Sequence, residues 1–144
     1  MAAAGSATPG VMAEAAAPVR VSVAHGAGAA GQQALLDAWL RVTPAVAGGR
    51  AVLAEGAWLS LHAPDDVPMV RLPAGCVCCV GAVTLRVALT RLLRATRPAQ
   101  VLLLLARAEH RDRLPAQLAA HIQGVAVDAV LWNADGVAAA AAPR

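Results

Sequence analysis

Lysine is missing from this chain: all twelve of its basic side chains are arginines. Phenylalanine and tyrosine are missing too, which leaves three tryptophans as the only aromatics of that class. Without Phe or Tyr there is no stacking platform of the kind that holds single-stranded bases. The net charge of +3 and the run Arg86, Arg91, Arg94 and Arg97 therefore read as a solvated helix face rather than a nucleic-acid site. Nor is there an apolar run of the ~18 residues that a membrane span needs. The densest, "VLLLLA" at 101–106, has the length of a buried strand. Neither a nucleic-acid nor a membrane partner is expected.

Cysteine is scarce and unevenly placed. Its three copies, Cys76, Cys78 and Cys79, all fall within "PAGCVCCVG". The opening "MAAAGSATPGVMAEAAAP" has no basic residue before Arg20 and no leucine-rich core, so it reads as a disordered leader over 1–17 rather than a signal peptide. The expected compartment is then the cytoplasm. In that reducing medium, clustered thiols serve as metal ligands or redox groups more often than as structural disulfides.

What is present is a hydrophobic content of 58% against 15% charged residues, in 144 positions. That is enough for one domain with a core under a central sheet. "VRVSVA" (19–24), "RAVLAE" (50–55), "VPMVRL" (67–72), "VLLLLA" (101–106) and "VAVDAVLW" (125–132) read as strands. Between them, Leu35, Leu36, Trp39 and Leu40 recur at helical spacing directly after a glycine run. Leu85, Leu89, Leu92 and Leu93 do so over 83–96, and a third helix is expected from about Pro115. Alternating strands and helices predict an α/β domain over 18–136: a mostly parallel sheet covered on both faces, followed by an Ala-rich tail over 137–144.

The first strand, its glycines and the helix behind them can be read in two ways. "GAGAAG" at 26–31 matches G-x-G-x-x-G, and Glu55 ends the second strand, although further along than the about 20 residues that place the ribose-binding acid. A dinucleotide reading would use Gly26, Gly28, Gly31 and Glu55. Alternatively, Gly26 and Gly31 have the gap of G-x-x-x-x-G-K-[ST], a phosphate loop, but Gln32 and Gln33 stand where Lys and Ser/Thr belong. Glutamine carries neither the charge that neutralises phosphates nor the hydroxyl that binds Mg²⁺. A plain Gly/Ala turn for close helix–sheet packing explains the same residues.

The thiols carry the strongest chemistry. Thiolates are soft donors for Zn²⁺ or a related transition metal, and Cys-x-Cys-Cys can bring two or three of them to one ion, with Gly75 freeing the turn. Three sulfurs leave tetrahedral Zn²⁺ one ligand short, which suits transfer or sensing better than a closed structural site. Water, Glu55, His25, His62 or a partner's side chain are the candidates for the fourth place. Reduced, idle cysteines packed as small hydrophobes are the alternative. A disulfide between the adjacent Cys78 and Cys79 would be strained. Asp65 and Asp66 read as a turn, and Trp39, Trp58 and Trp132 as core or contact residues.

Taken in order, "VSVAHGAGAAGQQALLDAWL", "GCVCC" at 75–79, "VTLRVALTRLL" and "RPAQVLLLL" at 97–105 resemble the CobW-type family of P-loop metallochaperone GTPases, the family of the CobW/HypB/UreG nucleotide-binding domain, from about Val19 to Ala134. The resemblance implies metal binding by Cys76, Cys78 and Cys79 beside a nucleotide switch. It also shows departures. Gln32 and Gln33 replace the family's Lys and Thr, Leu104 and Arg107 stand at its E-x-x-G, and a guanine-reading Asn-Lys-x-Asp is absent from the sequence.

The expectation is a truncated, degenerate CobW-like protein: a zinc chaperone or homeostasis factor defective in GTP hydrolysis, binding or delivering rather than catalysing. The substitutions count against GTP with Mg²⁺ as a ligand. A metal-acceptor protein, a complementing chain or a second copy are the partners implied. A working GTPase of the family and a dinucleotide-binding domain are the alternatives.

Overall fold

The computed structural model describes residues 17–44, 49–56, 61–72, 83–107, 113–122, 125–133 and 136–137. Six strands, β1 (Val19–His25), β2 (Arg50–Glu55), β3 (Met69–Leu72), β4 (Gln100–Leu105), β5 (Val127–Asn133) and β6 (Gly136–Val137), form one sheet in the order β3-β2-β4-β1-β5-β6. The first five are parallel, and β6 runs antiparallel to β5. Among the described residues three helices connect them: α1 (Gly28–Val42), α2 (Val83–Thr96) and α3 (Leu114–His121). The expected α/β architecture is therefore present.

Side chains alternate across each strand, and the alternation sorts the core into two layers. Val21, Val23, Ala51, Leu53, Val101, Leu103 and Leu105 face the leucines of α2 and α3. On the other side, Ala24, Val52, Ala54, Leu102 and Leu104 meet Leu36 and Trp39 of α1, together with Leu61 and Val67 from the β2–β3 connection. Strand β4 is thus buried on both faces. This is why its sequence is an unbroken leucine run rather than an alternation. No helix among the described residues is long and apolar enough to cross a membrane.

The strand order has one reversal that matters. From β1 the chain passes through α1 on one face, over β4, to reach β2. From β4 it passes through α3 on the opposite face, over β1, to reach β5. Adjacent strands whose connections leave in opposite directions on opposite faces open a crevice at their carboxyl ends, and open α/β sheets bind ligands there. The glycine run of 26–31 follows β1 into that crevice.

Two details differ from the sequence expectation. Helix α1 opens at Gly28, inside the glycine run rather than behind it, so Gly28 and Gly31 are first-turn residues and only Gly26 and Ala27 form the turn. Ala29 and Ala30 are strong helix formers, and a first turn tolerates glycine better than a helix interior does. The second is β6, whose two residues pair as Trp132↔Val137 and Asn133↔Gly136. So short a strand leaves no hydrophobic period to read in a sequence.

Candidate functional site at the carboxyl edge of the sheet

Gly26 closes β1 by donating its N–H to the carbonyl of Leu105, at 3.1 Å, across the crevice. A Cβ at this position would stand 2.9 Å from the Gln32 nitrogen, the Gly31 carbonyl carbon and Leu35 Cδ1. Two of those atoms are backbone, so only glycine lets α1 start this close to the sheet. Gly28 has φ +70 with open space around its Cα, so there glycine supplies backbone freedom. Gly31 meets nothing nearer than 3.5 Å and is neither crowded nor strained. Ala27, at the N-cap, gives α1 no side-chain hydrogen bond, and its first turn has no acidic residue.

The two glutamines have settled roles. Gln32 is fully buried, and its Nε2 donates to the main-chain carbonyl of Glu55 at 2.9 Å. Its Oε1 has no hydrogen-bond partner among the described residues. Gln33 lies on the next face of α1 and grips His62 through two bonds. Its Nε2 donates to the His62 carbonyl at 3.0 Å, and the His62 N–H donates to its Oε1 at 2.8 Å. The same Nε2 lies 2.9 Å from Asp37 Oδ1, one helical turn on. The positions that would hold a phosphate-neutralising ammonium and a Mg²⁺-binding hydroxyl instead tie α1 to the end of β2 and to the β2–β3 connection.

Glu55 is only 2% exposed, yet it is not buried without partners. Its Oε1 accepts the N–H of Ala106 at 2.9 Å, which joins the end of β2 to the end of β4. The Gly56 N–H reaches the Leu72 carbonyl at 3.0 Å and joins β2 to β3 in the same way. Such bonds satisfy main-chain groups that the strand ends leave over.

The candidate ligands do not all meet. Glu55 follows Ala51 and Leu53 on the α2/α3 face by strand alternation, and His25 follows Val21 and Val23 on that face. Leu105, paired with His25, stands between them on β4, so their Cα atoms are about two strand spacings, ~10 Å, apart. The His62 main chain is held by Gln33 of α1, beside Leu61, which enters the core on the α1 face, and its side chain is exposed. Glu55 and His25 thus share one face of the sheet, while the thiols that any of the three would complete lie outside the described residues. Among the described residues, no three of the His, Cys, Asp and Glu side chains gather as a metal group.

Cys76, Cys78 and Cys79, with Trp58, lie outside the described residues. Their flanks are described: β3 ends at Leu72 on the carboxyl edge, and α2 begins at Val83 and packs on the face that carries Glu55.

Sequence reasoning missed Arg50. Its Nη1 caps the end of α1 through the Thr43 carbonyl at 2.8 Å and the Leu40 carbonyl at 3.4 Å, while Nη2 pairs with Asp66 at 3.6 Å. Arg50 opens β2 beside a glycine, and nothing local in the sequence signals a contact ten residues back. Trp39 and Trp132 are core residues, as expected, and Asp65 and Asp66 form the expected turn. No family model matches the chain, and no curated protein or solved structure does so either.

Proposed function

We propose that this chain is a CobW-like metal-binding protein that carries Zn²⁺ or a related ion on Cys76, Cys78 and Cys79, on a nucleotide-binding type of scaffold that no longer hydrolyses GTP. The observation that carries the second half is the burial of Gln32 against the Glu55 carbonyl. A side chain committed there cannot serve a phosphate, and an amide has no full charge to offer one. The Gln33 grip on His62 removes the second position in the same way. Mg²⁺ with GTP therefore does not fit the residues present.

For the first half, the support is chemical and topological. Three thiols within one short segment are a soft donor set for which Zn²⁺ is the ordinary ion. The segment leaves β3 at the edge where the Glu55 carboxylate stands and enters a helix on the Glu55 face. Glu55, at the same edge and on the same face, is our candidate for an added oxygen donor, and the ion would be cargo for an acceptor protein rather than a reaction centre.

Cobalt substitution tests this directly. Co²⁺ added to the reduced protein is expected to give an intense thiolate-to-cobalt absorption with tetrahedral ligand-field bands. Replacing all three cysteines by serine abolishes both, and Glu55→Gln alters the ligand-field bands alone. A spectrum with no thiolate contribution would sink the reading.

A further inference from the structure

At the opposite edge of the sheet, α2 ends in a conformation that arginine seldom adopts. Arg97 has φ 47, the left-handed region, and it alone among the described non-glycine residues has positive φ. Its N–H returns to the Leu93 carbonyl at 3.0 Å, and Thr96 Oγ1 donates to the Leu92 carbonyl at 2.9 Å, so the turn is a well-formed helix end. Glycine is the usual residue there, because a Cβ in this region crowds the following carbonyl.

An arginine at the negative end of a helix does complement its dipole. Arg94, in the last turn of α2, already supplies that charge. The dipole therefore does not account for a second guanidinium at the one position where its backbone is strained.

The side chain borders a cavity. Leu93, Arg94, Arg97 and Val125 line a space of about 410 Å³ between the end of α2 and the start of β5. That volume lies in the small-molecule range, roughly 300–1,000 Å³. Among the described residues its lining joins two arginines to two apolar residues and contains no acid. On β5, the carboxylate of Asp128 is paired with Arg20 at 3.0 Å. Arg97 is exposed, and its guanidinium takes part in no salt bridge among the described residues.

We propose that this cavity binds a small amphiphilic oxyanion, a phosphate or carboxylate carrying an apolar body, with Arg97 holding the anionic group and Leu93 and Val125 the body. Guanidinium forks suit such oxyanions because two parallel N–H donors match two oxygens. Strain retained at a ligand-contacting residue is a common mark of such sites. The proposal is independent of the thiol segment, since it uses the amino edge of β4 and β5.

The test titrates the full chain calorimetrically with hexyl phosphate and with inorganic phosphate at low ionic strength. Expected is saturable one-to-one binding of hexyl phosphate, at least about tenfold tighter than inorganic phosphate and weakened about tenfold by Arg97→Gln. Arg97→Gly is expected to lose binding equally while its thermal midpoint holds or rises, because the strain is relieved. Binding unchanged in both variants, no saturable binding at all, or a lower midpoint for Arg97→Gly would each overturn the proposal. The last would show that the side chain is kept for folding.

Discussion

Gln32 donates its side-chain amide to the main-chain carbonyl of Glu55 at 2.9 Å, and this bond locks the start of α1, just past its first turn, onto the end of β2. It also gives the position after Gly31 a structural role in place of the charge that a phosphate loop would need there. The residue after Gly31 has turned away from the crevice and become part of the core.

Removing that side chain takes away a buried hydrogen bond and leaves a cavity behind. Gln32→Ala is expected to destabilise the fold by roughly 2–4 kcal/mol. Gln33→Ala, which loses exposed bonds to His62, is expected to cost only about 0.5–1.5 kcal/mol. Urea unfolding of the two variants checks the order, and equal losses would mean that the buried bond has no special weight.

The glycines of the same turn separate just as cleanly. Gly26→Ala places a Cβ 2.9 Å from backbone atoms of Gly31 and Gln32, and is expected to cost about 1–3 kcal/mol. Gly31→Ala meets nothing nearer than 3.5 Å and should stabilise α1 by up to about 1 kcal/mol. Thermal midpoints moving in opposite directions are the predicted result.

Arg50 offers a third comparison. Its bonds to the Thr43 and Leu40 carbonyls are partly buried, whereas Asp66, its acidic partner, is 64% exposed. Arg50→Ala is expected to lose about 1.5–3 kcal/mol through charge-assisted bonds to the helix end. Asp66→Ala is expected to lose less than about 0.5 kcal/mol, because exposed ion pairs are screened. Unfolding of both variants in low and high salt distinguishes the helix-capping contribution from the ion pair.

With both glutamines engaged, Mg²⁺ and GTP should be turned over no faster than in buffer. The double variant Gln32→Lys with Gln33→Thr is not expected to restore turnover, since it breaks the bonds to Glu55 and His62 that hold the site together. Phosphate release measured on the wild type and the double variant checks both statements.

Much of this architecture was legible in the sequence. The leucine stripes gave α2 its limits, and the run at 101–105 marked a strand covered on both faces, because hydrophobic period follows burial. The start of α1 was harder, because glycines that look like a loop belong to its first turn and no capping side chain marks the boundary. Within the site, the loss of Lys and Thr was plain, but what Gln32 and Gln33 do instead depends on contacts 23 and 29 residues away. The face that Glu55 and His25 take followed from strand alternation once the strands were placed, whereas His62 lies in a connection where no period applies. Arg97 looked like one more solvated cation. Its backbone angle and the cavity beside it are tertiary facts, with only the following Pro98 as a local hint.

The central claim is metal carriage by the thiol cluster, and a Zn²⁺ titration of the reduced protein against a chromophoric chelator meets it most directly. One equivalent held against the chelator, and lost when Cys76, Cys78 and Cys79 are all serine, is the predicted result. No Zn²⁺ retained beyond that serine control would contradict the account and leave the three cysteines without a metal to carry.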